Sequence, residues 1–505
     1  AVEEAEEEAR AAAAVGRERA RSRSKSSGRD RDDRRGSPEG VAAPEDEEAN
    51  GGYTKPYSSL RMGSVPPAVA EAAAEETPRL RASEDEAPGA PAMATVYAAA
   101  TAAGGSGRNA RQRPNQDAHF CLDEGAGLVV GVLDGHGSAL GAVAAQAASQ
   151  EMQRWLRRPK NQAALREDAQ AALDDLFLDA HVAVLAAMAA KTGAEDEEGR
   201  FPTGDRAVDN RVRAPIDPKT RVPAEGGTTA TVVAVVENRM LLIAQVGDSD
   251  AVLGGRLVDG SGVSAEKLTA DHTPCSLSEF RRVRQWERRR GAGKELDFVY
   301  DSPTSELLHV FEEPAGGEPQ LSSKAAEMAD DLGVGFKSMR AERPSHVVAP
   351  PPPGGTVSPK LAVTRSLGDP HLQACGVSWR PEVTLVDLAE PAGELKPLVL
   401  VVGSDGLWDL WQYDEAIDEL LAEDEDLGTK EGLTAATDRL LAATRAKGEE
   451  HLGPSTDDTT LVVISIAPET KPEPTRRAPA ARRGPRDDGA GERRAKSEAR
   501  DSRGG

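Results

Sequence analysis

The chain has 505 residues and a mass of 53.2 kDa, but its 7 Phe, 5 Trp and 5 Tyr stand against 49 Gly and 34 Pro. Much of its length therefore lacks the apolar surface needed to offset the entropy of ordering, and one ordinary core with disordered flanks is expected. The excess of 85 acidic over 62 basic residues, a net charge of −23, excludes a chain that coats nucleic acid or anionic membrane along its whole length.

Residues 1–93 open on the acidic run Glu3 to Glu8, pass through an Arg/Ser/Asp stretch from Arg17 to Arg35 and end in Ala/Glu/Pro-rich sequence. With no periodic apolar face they read as a disordered tail, either simply solvated or a tether for nucleic acid or another partner. From residue 94 the texture changes. Short β-branched runs predict strands at Gly127 to Asp134, Thr228 to Glu237, Met240 to Asp248, Pro397 to Asp405 and Asp458 to Ile466. Only Asn238-Arg239 separates the second from the third, which predicts a hairpin. Apolar spacing at three and four predicts helices near 138–157, 163–190, 413–422 and 431–446. Neighbouring strands with helices clustered between them point to an α+β fold with stacked antiparallel sheets rather than a βαβ alternation. Two stretches, 191–224 and 291–355, are charged or Pro-rich and are expected to be insertions into a globular part spanning 94–467; an Arg-rich tail, 468–505, follows. Cys121, Cys275 and Cys375 are odd in number and far apart, which reads as reduced thiols and an intracellular, cytoplasmic or nuclear, location. No run approaches the roughly 18 apolar residues of a membrane span.

The informative feature is the placing of acids. Asp134, Asp248 and Asp405 each end an apolar strand, and Asp457 immediately precedes one. Taken singly, Asp134-Gly135 and Asp405-Gly406 are the Asp-Gly pairs of ordinary turns. Taken together, carboxylates gathered at neighbouring strand ends would repel unless a cation joined them, and oxygen ligands without Cys or clustered His select a hard ion, Mg²⁺ or Mn²⁺. Two such ions can share a bridging hydroxide that attacks phosphorus in line, and His136 could then protonate the leaving alkoxide.

The ordered series NQDAH (115–119), VLDGHGS (132–138), GGTTA (226–230), VGDSDAV (246–252), LTADHTP (268–274), LAVTRSLGD (361–369), GSDGLWD (403–409) and STDDTT (455–460) resembles the metal-dependent serine/threonine protein phosphatases of type 2C over about residues 94–467. That resemblance implies a sandwich of two antiparallel sheets flanked by helix pairs, with a binuclear Mn²⁺ or Mg²⁺ site at one end. It implies that Asp134 bridges both ions, Gly135 offers its carbonyl, and Asp405 and Asp457 bind one ion. Asp117, with Gln116, would hold metal-bound waters; Asp248 with Asp405 would hold a third, weaker ion; His136 would be the general acid. Phosphoprotein substrates and a monomeric chain are also implied.

The chain departs from the family pattern at several positions. Asp250 stands where Arg usually follows GDS, Asp458 where Asn commonly follows the last metal aspartate, and Gln116 where some members carry Glu. Gln112 occupies the place of the phosphate-binding Arg, between Arg111 and Arg113; on an extended strand the two arginines share one face, and Arg113, held extended by Pro114, is the favoured phosphate ligand. The leading expectation is hydrolysis of phosphoserine and phosphothreonine in proteins. A pseudophosphatase that binds phosphorylated partners without turnover, and a serine esterase using Ser249, are the alternatives.

Overall fold

The apolar runs become strands covered on both faces, which is why they read as continuous Val, Leu and Ile rather than as an alternation. A computed structural model of the chain describes residues 93–468, apart from 106–113, 124–126, 195–199, 202, 219–220, 237–238, 292–294, 305–306, 315–316, 390 and 454–455. Both tails, including the Arg17 to Arg35 stretch, and Arg111, Gln112 and Arg113 lie outside the described residues.

Two five-stranded antiparallel sheets stack on each other. In one the order is Met93–Ala102, Thr459–Pro468, Leu395–Gly403, Asp250–Leu257, Val263–Lys267; in the other it is Glu382–Asp387, Met240–Val246, Ala230–Val236, Leu128–Leu133, Ala118–Asp123. Ala230–Val236 and Met240–Val246 are the antiparallel neighbours that the short connection predicted. Val130, Val132, Val233 and Ile243 of one sheet meet Leu253, Leu400, Val402 and Ile464 of the other, forming the central apolar layer. On the outer face of the second sheet, Met152, Trp155, Leu176 and Phe177 pack from helices Gly141–Leu156 and Ala169–Thr192. On the outer face of the first, Ile417, Leu420, Leu433 and Leu440 pack from Tyr413–Leu420 and Lys430–Leu452. The α+β sandwich of stacked sheets between helix pairs is thus the observed fold. No helix among the described residues is long and apolar enough to cross a membrane, and the three cysteines are free thiols.

Two expectations are refined. The helix predicted over 163–190 is two, Pro159–Glu167 and Ala169–Thr192, because Asp168 adopts an extended backbone and its side chain accepts from the Ala171 N–H at 3.1 Å, starting a new helix. Residues 291–355 are not loop throughout. Strands Asp297–Tyr300 and Ser345–Val348 pair, and Phe298, Phe311 and Val347 form a satellite core with Phe280 and Val283 of helix Leu277–Arg290. Residues 191–224 also return to the core, through Val208, Val212 and Ala224.

The satellite is tied to the sandwich by a buried charge network. Glu279, 1 % exposed, accepts from Arg282 Nε at 2.9 Å, Thr364 Oγ1 at 2.7 Å and Arg365 Nη2 at 2.6 Å. Burial works against its charge, but Arg282 and Arg365 outweigh burial and hold the carboxyl far below the ordinary range. A depressed folded pKa means that this stabilisation is complete above the unfolded value of 4.5 and is lost as pH falls through the folded one. Glu279→Gln is therefore expected to cost about 3 kcal/mol at pH 7, the scale of breaking a buried pair, and less at pH 3. Equal urea midpoints for variant and wild type at pH 7 would contradict it.

Candidate active site

One end of the sandwich collects the acids, because the registers Ala118 to Leu133, Ala230 to Val246, Asp250 to Gly403 and Gly403 to Leu461 align these strand termini. Three short segments are knitted across it: Gly135–His136 pairs with Gly227–Thr228, which pairs with Leu367–Gly368. The GGTTA motif fixes Asp134 by its backbone. Thr229 N–H and Thr228 Oγ1 donate to the Asp134 carbonyl at 2.8 and 3.0 Å, and the Asp134 N–H donates to Thr229 Oγ1 at 3.0 Å. The Asp134 carboxyl is thereby aimed independently of its own contacts. Gly135 admits no side chain, since a Cβ there would lie 2.5 Å from the carbonyl oxygens of both Gln116 and Gly141.

The acids sense one another. Burial, then Asp117, Asp405, Asp457 and Asp248, push the Asp134 carboxyl well above the usual range. Burial raises Asp117 to about 7, with Asp458 and Asp457 adding to the rise against the hydroxyls of Thr460 and Ser404. Asp117 Oδ2 accepts from Ser404 Oγ at 3.0 Å, while its buried Oδ1 has no hydrogen-bond partner among the described residues. Burial also raises Asp248, although Lys337, 3.2 Å from its Oδ2, opposes the rise. Asp405 opens the short helix Asp405–Trp408 directly after Leu395–Gly403. Among the described residues no three of these carboxylates already stand at ligand distances from one point. In donor type, charge and the orphaned Asp117 oxygen they nonetheless fit a hard divalent cation.

His136 lies at the rim of this cluster. Its Nε2 is 2.7 Å from Asp369 Oδ2, which also accepts from Ser366 Oγ at 2.6 Å. Burial works against a charged imidazole, but Asp369 outweighs it and raises the pKa. Gly227 passes between the pair's supports, and a Cβ there would overlap Asp369 Oδ2 and come within 2.7 Å of His136 Nε2. Asp369 holds this position in a left-handed backbone conformation, φ 48°. Sequence reasoning missed Asp369 as a site residue, although it closes the LAVTRSLGD motif.

The family departures have local explanations. Asp250 is 4 % exposed and accepts from Thr269 Oγ1 at 2.7 Å and Tyr413 Oη at 2.8 Å, with Lys267 Nζ at 3.6 Å. Asp458 clamps two backbone groups, accepting from Gly104 N–H at 2.7 Å and Gln116 N–H at 2.8 Å. The Gln116 amide donates to the Gly137 carbonyl at 2.7 Å. Ser249 is fully buried against Thr229 Oγ1 at 2.8 Å, which removes the support for a serine esterase.

Stacked antiparallel sheets between helix pairs, with clustered carboxylates at one end and a carboxylate-held histidine beside them, define an acid-centred α+β sandwich of the kind the motifs resemble. The chain belongs to the protein phosphatase 2C family, whose description matches residues 102–289 and 345–451; the family is Mn²⁺- or Mg²⁺-dependent. It is 31 % identical to probable protein phosphatase 2C 12 of Oryza sativa subsp. japonica, over 38 % of this chain and 36 % of that protein. It is 27 % identical to probable protein phosphatase 2C 35 of Arabidopsis thaliana, over 48 % of this chain and 56 % of the relative. A crystal structure of serine-threonine phosphatase 2C from Toxoplasma gondii aligns with TM-score 0.41 and 16 % identity, covering 75 % of this chain and 100 % of that one.

Proposed function

We propose that the chain hydrolyses phosphoserine and phosphothreonine esters in proteins by in-line attack of water, at a site whose acids would hold a pair of divalent cations. The observation that carries this reading is the gathering of strand-end acids at one end of the sandwich, where Asp117, Asp405, Asp457 and Asp248 all bear on the buried Asp134 beside His136. Asp134, the Gly135 carbonyl, Asp405 and Asp457 would hold the cations, with Asp117 orienting water at their edge. Bound there, Mn²⁺ or Mg²⁺ supplies Lewis-acid neutralisation of the phosphate and a water acidic enough to react.

His136 donates the proton that the leaving alkoxide needs. With Nε2 engaged by Asp369, the transferable proton is assigned to Nδ1, and Asp369 acts as a positioning residue that fixes the ring and favours its charged form. Asp458 holds both ends of the segment that carries Arg113, the proposed ligand of the non-reacting phosphate oxygens.

Full-length protein incubated with a phosphothreonine peptide is expected to release inorganic phosphate in millimolar Mn²⁺ and to stop when EDTA is in excess. Release that survives EDTA, or peptide binding without release at any Mn²⁺ concentration, would contradict this function.

A further inference from the structure

The two stretches matched by the family description leave residues 290–344 uncovered, and this segment reaches back to the acidic end of the sandwich. Several anchors hold its last turn. Lys337 N–H donates to the Glu342 carbonyl at 2.7 Å, Met339 N–H to the Asp409 carbonyl at 2.9 Å, and Gln412 Nε2 to the Met339 carbonyl at 2.8 Å. The Arg340 guanidinium donates to the carbonyls of Trp408 and Trp411 and lies 4.7 Å from the centre of the Tyr413 ring. The loop so fixed directs Lys337 inward, where its side chain is 14 % exposed. Its Nζ stands 3.2 Å from Asp248 Oδ2, 3.7 Å from Asp409 Oδ1 and 3.9 Å from Asp405 Oδ2.

We propose that Lys337 is a tethered cation that fills the pocket between Asp248, Asp405 and Asp409, so that this chain takes two divalent ions where its motifs imply a third, weaker one. The proposal rests on the metal-dependent reading above and specifies how many ions it involves. An ammonium has three donors on a compact unit charge, which suits three converging carboxylates. A hard divalent ion would need those same oxygens at about 2.0–2.6 Å, and so could not enter until the ammonium left. A third ion held only loosely would be at a disadvantage against a cation that is already attached, because the anchored loop places Nζ among the carboxylates and filling the pocket becomes an intramolecular step. The anchoring through Met339, Arg340 and Gln412 shows that the position is built by the loop and not reached by a wandering side chain.

The test counts bound Mn²⁺ per chain for full-length wild type, Lys337→Met and Lys337→Arg, using the electron paramagnetic resonance signal of free Mn²⁺ up to millimolar concentration. Two ions are expected for wild type and Lys337→Arg, and a third, of millimolar affinity, for Lys337→Met. In EDTA, Lys337→Met should melt several degrees below wild type, with Mn²⁺ recovering the difference. If that variant does not fold without metal, adding Asp409→Asn removes one of the carboxylates, which should restore folding and abolish the third ion. Three ions in wild type, or two in Lys337→Met with an unchanged melting temperature in EDTA, would overturn the proposal. No ions in wild type but one in Lys337→Met would overturn the two-ion reading and leave the Lys337 assignment standing. No ions in either protein would overturn both.

Discussion

Asp134→Asn is expected to lower turnover of a phosphothreonine peptide by at least about 10²-fold at matched Mn²⁺, through loss of metal-ion catalysis. The fold should survive, because Thr228 and Thr229 hold residue 134 through its backbone and never touch the side chain that changes. The sign of the stability effect separates a functional acid from a structural one. Burial and four neighbouring carboxylates make the Asp134 charge unfavourable in the metal-free protein, so its neutral replacement should melt at or above the wild-type temperature in EDTA. Added Mn²⁺ should then raise the wild-type melting temperature much more than that of the variant. Asp405→Asn should behave alike in turnover. Wild-type rates in either variant would refute the assignment of these residues.

His136→Ala should lower kcat by about 10²- to 10⁴-fold on a phosphopeptide, the usual range for general acid–base catalysis. An alkoxide leaving group needs the proton, whereas the leaving group of p-nitrophenyl phosphate barely does, so the loss should shrink on the latter. Asp369→Asn should give a smaller loss with the same dependence on leaving group, since its contact with Nε2 aims and charges the ring without supplying the proton. Equal losses on both substrates would assign His136 another task.

Much of this arrangement was legible in the residues. Asp134, Asp405 and Asp457 could be placed at strand ends because the runs beside them are apolar on both faces and stop abruptly at an acid. The hairpin between Val236 and Met240 followed from a connection too short for anything else. What could not be read depends on distance along the chain. Asp369 and His136 are separated by 233 residues, and the pairing of Gly227–Thr228 with both neighbours brings them together. The break at Asp168 competes with a helical pattern on both sides, and a single capping side chain decides it. Residues 291–355 hold only short apolar runs, Leu296 to Tyr300 and Leu307 to Phe311, broken by Pro, Gly and acids, so the satellite core around Phe280, Phe298 and Phe311 gave no periodic signal. Lys337, one cation in that segment, was indistinguishable from a solvated lysine.

Catalysis of this kind requires the carboxylates at Asp134 to be a metal centre rather than a set of turn residues. Anomalous diffraction at the manganese edge from crystals of the full-length protein grown with Mn²⁺ addresses this directly. Two adjacent peaks are expected, both in contact with Asp134, one also with Asp405 and Asp457, and none between Asp248 and Asp409. Well-ordered crystals with no peak at Asp134, or with manganese bound only elsewhere on the chain, would contradict it.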